Sequence, residues 1–531
     1  MTSLYLFSFA ALLFFFGIQI FETLYRDKLK LDRFLIFTLF EERLNKKILY
    51  LLVFLFLLLT QSYYLNYETI DWDTNSYLVS SQDILRGNLP YETQWESKQV
   101  LFYYLYALII KISGSNLILF KLINDLLLYL IVIILFSIVN KLSGSLSKSF
   151  FSCLFYLAIM SQPWSSVEYS EIYSLVFISS AFLIFISQSL NKKRAFMVGL
   201  LFSISTLVNI GSAIFLLPFI YYLIKNYDIK LNFYLIGGAS IPHLFFLLLY
   251  LFNKQLDIYW NTLFVIPNAY RGEDMNFIKE VINFLRSLYE FNKYIYLCLL
   301  FLIVSLFVSF IKAKGYKDKL QLINSIYIQF VLVSVLFYYL ASHGYYHHLI
   351  FFIYFLPLLV IETNGKFSLN ILYLLIFVSV TSLGLTQFNK SSNNLVNLNN
   401  IYNDYPLKKL SKEIDEQFES DYDILAFDSV LVLFYLDKPN FSYIVHPTNH
   451  NEQFITSKLI NIERIFEDEP ERLVDLEPDV IMCSNNAIIQ CEIYDYKKNY
   501  RELDALKYRQ DPKLQFYDNQ TYQFRVFIKE N

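Results

Sequence analysis

Two carboxylates one residue apart, Asp71 and Asp73, open the polar stretch Asp71-Trp72-Asp73-Thr74-Asn75-Ser76-Tyr77, and a cation follows in Trp95-Glu96-Ser97-Lys98. Carboxylates at this spacing suit a general base or a metal ligand, and a buried or interfacial lysine suits the neutralisation of an anion. Between them runs Leu85-Arg86-Gly87-Asn88-Leu89-Pro90-Tyr91, with the cues of a helix stop and a turn. The stretch directly follows a hydrophobic run and is longer than a connection between two helices requires. It reads as an active site lying on a membrane surface.

Each residue also has a plainer reading. Asp73 or Thr74 can cap a helix through Tyr77, Leu78, Ile84 and Leu85, with those apolar positions on the membrane surface and Gly87 ending it. Lys98 can snorkel from the interface. Glu96 can orient Lys98 or help bind a cation. Tyr91, Trp95, Tyr103 and Tyr104 form either an aromatic belt or a platform for stacking a sugar. Asp71, so close to Asp73, favours chemistry over capping alone.

The elements that must position these groups are membrane helices. The 531-residue chain is 56% hydrophobic and 19% aromatic with a mean hydropathy of +0.40, too apolar for a soluble globule. Spans of this kind are helical, because lipid leaves the backbone only its own hydrogen bonds, and no alternating pattern suggests a barrel. With 13 Gly and 12 Pro, broken transporter-like helices are not prominent. The first residues lack a basic leader and a small-residue cleavage site, so Thr2 to Phe21 reads as a retained span. The basic run from Arg26 to Lys47 is then cytoplasmic, with Phe34-Leu35-Ile36-Phe37 on the inner surface, and the span Ile48 to Leu65 delivers the Asp71 loop outside. Val100 to Ile112 is short for a span and reads as a juxtamembrane or re-entrant helix.

Spans alternate from there to Leu385. Asn191-Lys192-Lys193-Arg194, Lys225 with Lys230, and Lys312 to Lys319 all fall on the inner side, and Asn253 to Lys293 forms an outer loop. The total is about twelve spans with both termini outside. Residues 1–47 thus form an N-terminal span and basic segment, 48–385 a membrane region with the outer loop 66–99, and 386–531 a soluble domain. That last part carries an acidic excess, while the whole chain is at −3.

Within it, Asp423 to Phe427 and Asp479 to Cys483 read as buried strands, Ser457 to Phe466 as a helix, and Gln515 to Tyr517 with Tyr522 to Ile528 as a closing hairpin. A small extracytoplasmic α/β domain results. It has no nucleophile motif, glycine-rich phosphate loop or metal spacing, which points to support or acceptor binding. Cys153 and Cys298 lie in apolar spans; Cys483 and Cys491 are either a disulfide or two free thiols.

The order of acidic loop, Tyr77, Ile84-Leu85-Arg86-Gly87, Pro90-Tyr91, Trp95-Glu96-Ser97-Lys98 and Phe102-Tyr103-Tyr104-Leu105-Tyr106-Ala107 resembles the first outer loop of the GT-C glycosyltransferases. It is closest to the bacterial glycosyltransferase family 39 group, which includes the protein O-mannosyltransferases and the lipid A aminoarabinose transferase. Here Glu96 stands where that group has Asp, and Gln99-Val100 where it has Pro-Pro or Gly-Pro. Weaker echoes are Val167-Glu168-Tyr169-Ser170-Glu171, Asp257-Ile258-Tyr259-Trp260 with Tyr270-Arg271, and Gly344-Tyr345-Tyr346-His347-His348, the last without the group's Arg and Pro. The resemblance covers roughly residues 45 to 385, and the C-terminal domain is outside it.

The resemblance implies a multi-pass plasma-membrane transferase of the GT-C fold with its chemistry on the outer face. It would move a hexosyl or pentosyl group, with inversion, from a polyprenyl-phosphate donor to an envelope lipid, glycan or protein. Asp73, with Asp71, would act as base. Lys98, Glu96, Tyr91, Arg271, His347 and His348 would meet the donor phosphate, with or without a divalent metal ion. A transporter or flippase for lipid-linked sugars, an envelope glycan polymerase or ligase, and a non-catalytic scaffold are the alternatives. Against transport, ionisable or polar residues within spans are few, mainly Lys121, Asn124, Asp125 and His243, and no internal duplication is visible.

Overall fold

The computed structural model describes residues 45–162, 168–187, 190–226, 230–270, 277–291, 325–341, 345–362, 387–484, 499–509, 511–514 and 524–530. The span expected at Thr2 to Phe21, the basic segment up to residue 44, Arg271, Cys298, Cys491, the spans expected at Tyr294 to Ile311 and Phe367 to Leu385, and the hairpin strand Gln515 to Tyr517 lie outside the described residues.

The chain enters the described region through α1 (Lys46–Gln61), whose first turn is capped by the Asn45 side chain accepting from the Lys47 amide at 3.0 Å. A 3₁₀ turn, Ser62–Asn66, prolongs it to the polar loop. There follow α2 (Trp72–Leu85), α3 (Val100–Ser113), α4 (Leu117–Ser143), α5 (Leu146–Ile159), α6 (Ser170–Ser187), α7 (Lys192–Val208), α8 (Leu216–Asn226), α9 (Lys230–Phe252) and α10 (Ile326–Ala341). Among the described residues, four stretches are long and apolar enough to cross a membrane: Lys46–Asn66, Leu117–Ser143, Ser170–Ser187 and Lys230–Phe252. Five other described apolar helices are shorter, Val100–Ser113 among them. Along α9 the side chains of Phe233, Ile241, Phe245 and Phe252 are exposed. So wide an apolar face fits lipid, since water would make it costly.

The most intimate helix pair is α7 with α9. A Cβ at Gly199 would fall on the carbonyl oxygen of Leu235, and one at Gly238 on that of Phe196, so each helix uses a glycine to admit the other's backbone. This crossing serves the polar loop, because Tyr250 near the end of α9 donates its hydroxyl to the Pro90 carbonyl at 2.8 Å.

The C-terminal region carries a four-stranded sheet of β1 (Ile424–Ala426), β2 (Val480–Ser484), β3 (Tyr500–Leu503) and β4 (Phe524–Lys529), in the order β1-β2-β4-β3. β1 and β2 run parallel, with Ile424 opposite Val480, and are buried along their length, as continuous apolar strands in parallel pairs should be. β4 runs antiparallel to both neighbours, with Cys483 opposite Arg525 and Leu503 opposite Val526. The described partner of the last strand is therefore Tyr500–Leu503. The helix expected over Ser457 to Phe466 runs Gln453–Ile460, and Cys483 is disulfide-bonded.

Two features of α2 depart from expectation. Its N-cap is Asp71, whose side chain accepts from the Asp73 amide at 3.4 Å, not Asp73 or Thr74. Asp73 is thereby released from capping. Nor is most of α2 open on its apolar face. Residues Thr74 to Asp83 are all buried, because the C-terminal region covers the helix: Gln82 donates to the Phe434 carbonyl at 2.9 Å and Arg86 pairs with Asp437 at 3.1 Å. Tyr77, Trp95, Phe102 and Tyr106 share one apolar cluster with Leu431, Phe434, Ile444 and Val526. Gly87, at φ +103, ends the segment as expected.

Replacing Gly199 by alanine should force α7 from α9 and lower stability by about 1–3 kcal/mol, the usual cost of overpacking. Thermal unfolding in detergent measures it. An unchanged midpoint would mean that the crossing yields without cost.

Candidate active site

Asp73 sits in the first turn of α2, and two donors from opposite directions fix its carboxylate. Tyr77, one turn on, donates to Oδ2 at 2.7 Å, and His446 Nε2 lies 2.8 Å from Oδ1. The Asp73 side chain remains about one-fifth exposed, towards a cavity. Such a carboxylate is oriented yet reachable. Asp71, by contrast, accepts from the Asp73 amide and from the Tyr169 hydroxyl, so it belongs more to the frame.

His446 arrives from the C-terminal region by backbone pairing. The Trp95 amide donates to the Tyr443 carbonyl at 2.6 Å and the Val445 amide to the Trp95 carbonyl at 3.0 Å, a short parallel bridge centred on Trp95 and Ile444. Buried amides lock its register. Gln94 Nε2 donates to the Asn440 carbonyl at 3.0 Å and Gln94 Oε1 accepts the Asn440 amide at 2.9 Å, while the Asn440 side chain exchanges two bonds with the Ala426 backbone. The Thr448 amide donates to His446 Nδ1 at 3.3 Å, so in the neutral ring Nε2 carries the proton offered to Asp73. On protonation the Thr448 hydroxyl, 2.9 Å from Nδ1, is placed to accept the second proton.

Lys98 reaches the same cavity from a turn built by its neighbours. Glu96, buried, accepts from Ser97 Oγ at 2.9 Å, from the Lys98 amide at 3.2 Å and from the Tyr103 hydroxyl. Tyr91 donates its hydroxyl to the Lys98 carbonyl at 2.5 Å. Its own backbone is at φ +69, a strained value for an aromatic residue, and its carbonyl accepts from the Tyr443 hydroxyl at 2.6 Å. Trp95 is anchored by Nε1 donating at 2.9 Å to Thr262, within a π-helical turn, Asn261–Val265. Glu96 and Tyr91 thus shape the turn, and Lys98 presents the charge, with its ammonium 5.6 Å from the Tyr77 ring centre.

The cavity measures about 560 Å³ and collects Asp71, Asp73, Glu96, Lys98, His347 and His348, together with Glu171, Asn209 and His446. Of the residues singled out in the sequence, Tyr91 acts from behind the wall and Arg271 lies outside the described residues. The rest of the lining mixes polar Ser97, Gln99, Thr448, Asn449 and Glu452 with apolar Ile210, Ile266, Pro267, Phe337 and Leu340. A cavity lined by both charged and apolar side chains suits an amphipathic ligand.

The charges sort themselves by surroundings. Burial and then the charge of Asp73 push the Asp71 carboxyl upward, against the Tyr169 hydroxyl. Burial would also raise Asp73, but the His446 hydrogen bond and the Lys98 charge outweigh it and hold Asp73 well below the usual carboxylate range. Burial opposes charge on Lys98 and His446, yet Asp73 raises both: it acts on Lys98 by its charge, with Glu171 next, and on His446 by its hydrogen bond. Asp73 is therefore the ionised member of the carboxylate pair.

Nothing in the sequence linked His446 to this site. It stands 373 positions from Asp73, in His446-Pro447-Thr448, which reads only as a helix-start signal and does cap the 3₁₀ turn Pro447–His450. Glu68 was likewise silent. Its carboxylate accepts the Leu407 and Lys408 amides at 2.7 and 3.0 Å, at the start of α11 (Pro406–Asp415), tying the loop to the C-terminal region a second time.

No protein-family model matches the chain, and no curated protein matches it by sequence. Among solved structures, the crystal structure of ArnT from Cupriavidus metallidurans in the apo state is similar to it, with a TM-score of 0.59 over 90% of this chain and 97% of that chain, at 12% identity. The fold is shared, and it is the GT-C fold that the first-loop motifs implied.

The Asp73–His446 contact sets a pH dependence. His446 is raised above its ordinary 6.5, so its share of stability is complete below that value and is lost as pH rises through the raised one. Asp73 is lowered below its ordinary 3.8, so its share is present above that value and is lost only in stronger acid. Thermal stability should therefore decline on the alkaline side, as pH rises above 6.5 and through the raised value of His446. His446→Gln should flatten that limb, and equal slopes in the two proteins would contradict the pairing.

Proposed function

We propose that this chain is a membrane glycosyltransferase. It moves a hexosyl or pentosyl group from a polyprenyl-phosphate donor to a hydroxyl of an envelope lipid, glycan or protein. The observation that carries the reading is the oriented, ionised Asp73 facing the same amphipathic cavity as Lys98. The shared fold with ArnT supports the class. The Lys/Arg distribution supports an outer location for the site, with residues 48–385 as the membrane-embedded catalytic region and 386–531 as an extracytoplasmic domain.

The chemistry follows from charge development. The acceptor oxygen attacks the anomeric carbon as the bond to the lipid phosphate breaks on the opposite face, so configuration inverts. The acceptor hydroxyl is a weak nucleophile, and Asp73 takes its proton as the new bond forms. The departing phosphate gathers negative charge, which Lys98 meets. Lys98 lowers the basicity of Asp73; a donor phosphate that engages Lys98 relieves this, so the base strengthens when the donor is in place. Tyr77 and His446 keep the carboxylate aimed throughout. The apolar side chains of the lining suit the first isoprene units of the donor, and the aromatic groups around Trp95 and Tyr91 hold the turn that carries Lys98.

Asp73→Asn keeps size and removes basicity, so turnover should fall by roughly 10²–10⁴ while membrane insertion is unchanged. Mass spectrometry of polyprenyl-phosphate sugars in cells expressing either form would reveal the donor that accumulates in the mutant. A mutant with wild-type turnover would overturn the assignment of the base.

A further inference from the structure

The buried amides around the cavity divide into two sets. Gln94 is bonded to the Asn440 backbone, Asn440 to the Ala426 backbone, Asn209 donates to Ser170 Oγ at 3.0 Å, and Asn75 donates to Thr69 Oγ1 at 2.8 Å. Gln99 and Asn449 differ. Both line the cavity and are only 5% and 7% exposed, yet among the described residues neither side chain has a hydrogen-bond partner. Gln99 immediately precedes α3 but its amide does not cap that helix, and Asn449 Nδ2 is enclosed. An amide buried unpaired is costly, so two on one cavity call for a ligand that pairs them.

Gln99 directly follows Lys98, and Asn449 comes three residues after His446, in the turn Pro447–His450 that His446 caps. Along the chain, one amide therefore adjoins the cation and the other adjoins the partner of Asp73. We propose that Gln99 and Asn449 form a subsite for the hydroxyl groups of the sugar that the donor carries, and that they set which sugar the chain accepts. Gln99 stands where the glycosyltransferases resembled by the first loop have proline, whose side chain offers no hydrogen bond. This amide is thus a feature of the present chain.

A sugar hydroxyl both donates and accepts, and a primary amide presents its carbonyl oxygen and NH₂ side by side, so one amide can bond two adjacent hydroxyls. Amides are neutral. They match uncharged hydroxyls and leave the phosphate to Lys98. The last side-chain torsion of Asn and Gln is soft, so a small rotation of Asn449 would offer its enclosed Nδ2 to a ligand. On the transferase reading, on which this inference rests, the anomeric carbon lies between the phosphate at Lys98 and the acceptor hydroxyl at Asp73, and the sugar ring meets the residues beside both. A site built to hydrogen-bond a hydroxyl rejects a ring that places it elsewhere, because the buried amides are then left unpaired.

The test uses the full-length chain in lipid nanodiscs and titrates it calorimetrically with polyprenyl phosphate and with polyprenyl-phosphate mannose, glucose, galactose and xylose. Wild type should bind one of the four sugars at least about tenfold more tightly than bare polyprenyl phosphate, the worth of one or two good hydrogen bonds. Gln99→Leu and Asn449→Leu should each erase most of that preference and shift the affinity for bare polyprenyl phosphate by less than about twofold. A wild-type chain that binds all five ligands alike, which no folding defect can explain, would overturn the subsite. So would variants that keep the wild-type order of sugars, or that lose bare polyprenyl phosphate to the same degree. Transfer is read separately, as release of polyprenyl phosphate in the presence of envelope extract. A sugar preference that the variants lose, in a wild-type chain that transfers nothing, would uphold the subsite and sink the transferase reading. Transfer without any such preference would sink the subsite alone.

Discussion

The parallel bridge between Trp95 and Ile444 is the contact on which the site depends. Only two main-chain hydrogen bonds make it, at 2.6 and 3.0 Å, but buried amide exchanges between Gln94 and Asn440 fix their register. A slip of one residue would turn His446 away from Asp73, since neighbouring side chains on an extended segment point to opposite sides. Tyr91, Glu96 and Tyr103 hold the following turn in the one conformation that brings Lys98 to the same cavity. The strain at Tyr91 is tolerated because its hydroxyl, carbonyl and ring are all engaged.

From that constraint comes an uneven distribution of charge. Asp71 and Asp73 stand one residue apart and cannot both ionise freely. Capping geometry decides which does: Asp71 serves the α2 N-terminus, and Asp73 is left to His446, Tyr77 and Lys98. The protein thus places a committed anion beside a committed cation in a cavity that apolar side chains also line. An amphipathic donor bearing a phosphate at its polar end would find a complement to each of its parts.

Much of this was legible in the residues and some was not. Apolar runs identified long membrane-type helices, because the bilayer imposes length and hydrogen bonding directly on sequence. The acidic loop, Gly87 and the cluster from Trp95 to Lys98 were legible because local turn chemistry and charge sit within one short stretch. Capping by Asp71 instead of Asp73 was not, since either carboxylate satisfies the local rule and tertiary contact with His446 decides. The burial of α2 was also hidden. Its apolar positions look the same whether lipid or the C-terminal region covers them. His446 and Glu68 act across hundreds of residues, and no spacing rule reaches that far.

If His446 acts through Asp73, the loop and the C-terminal region make one site. A double-mutant cycle on kcat/KM for transfer, with Asp73→Asn, His446→Ala and the two combined, measures this directly. Adding His446→Ala to Asp73→Asn should cost almost nothing further, because the group His446 orients has already lost its function. Losses that multiply in the double mutant would contradict it, and would show the two residues acting independently.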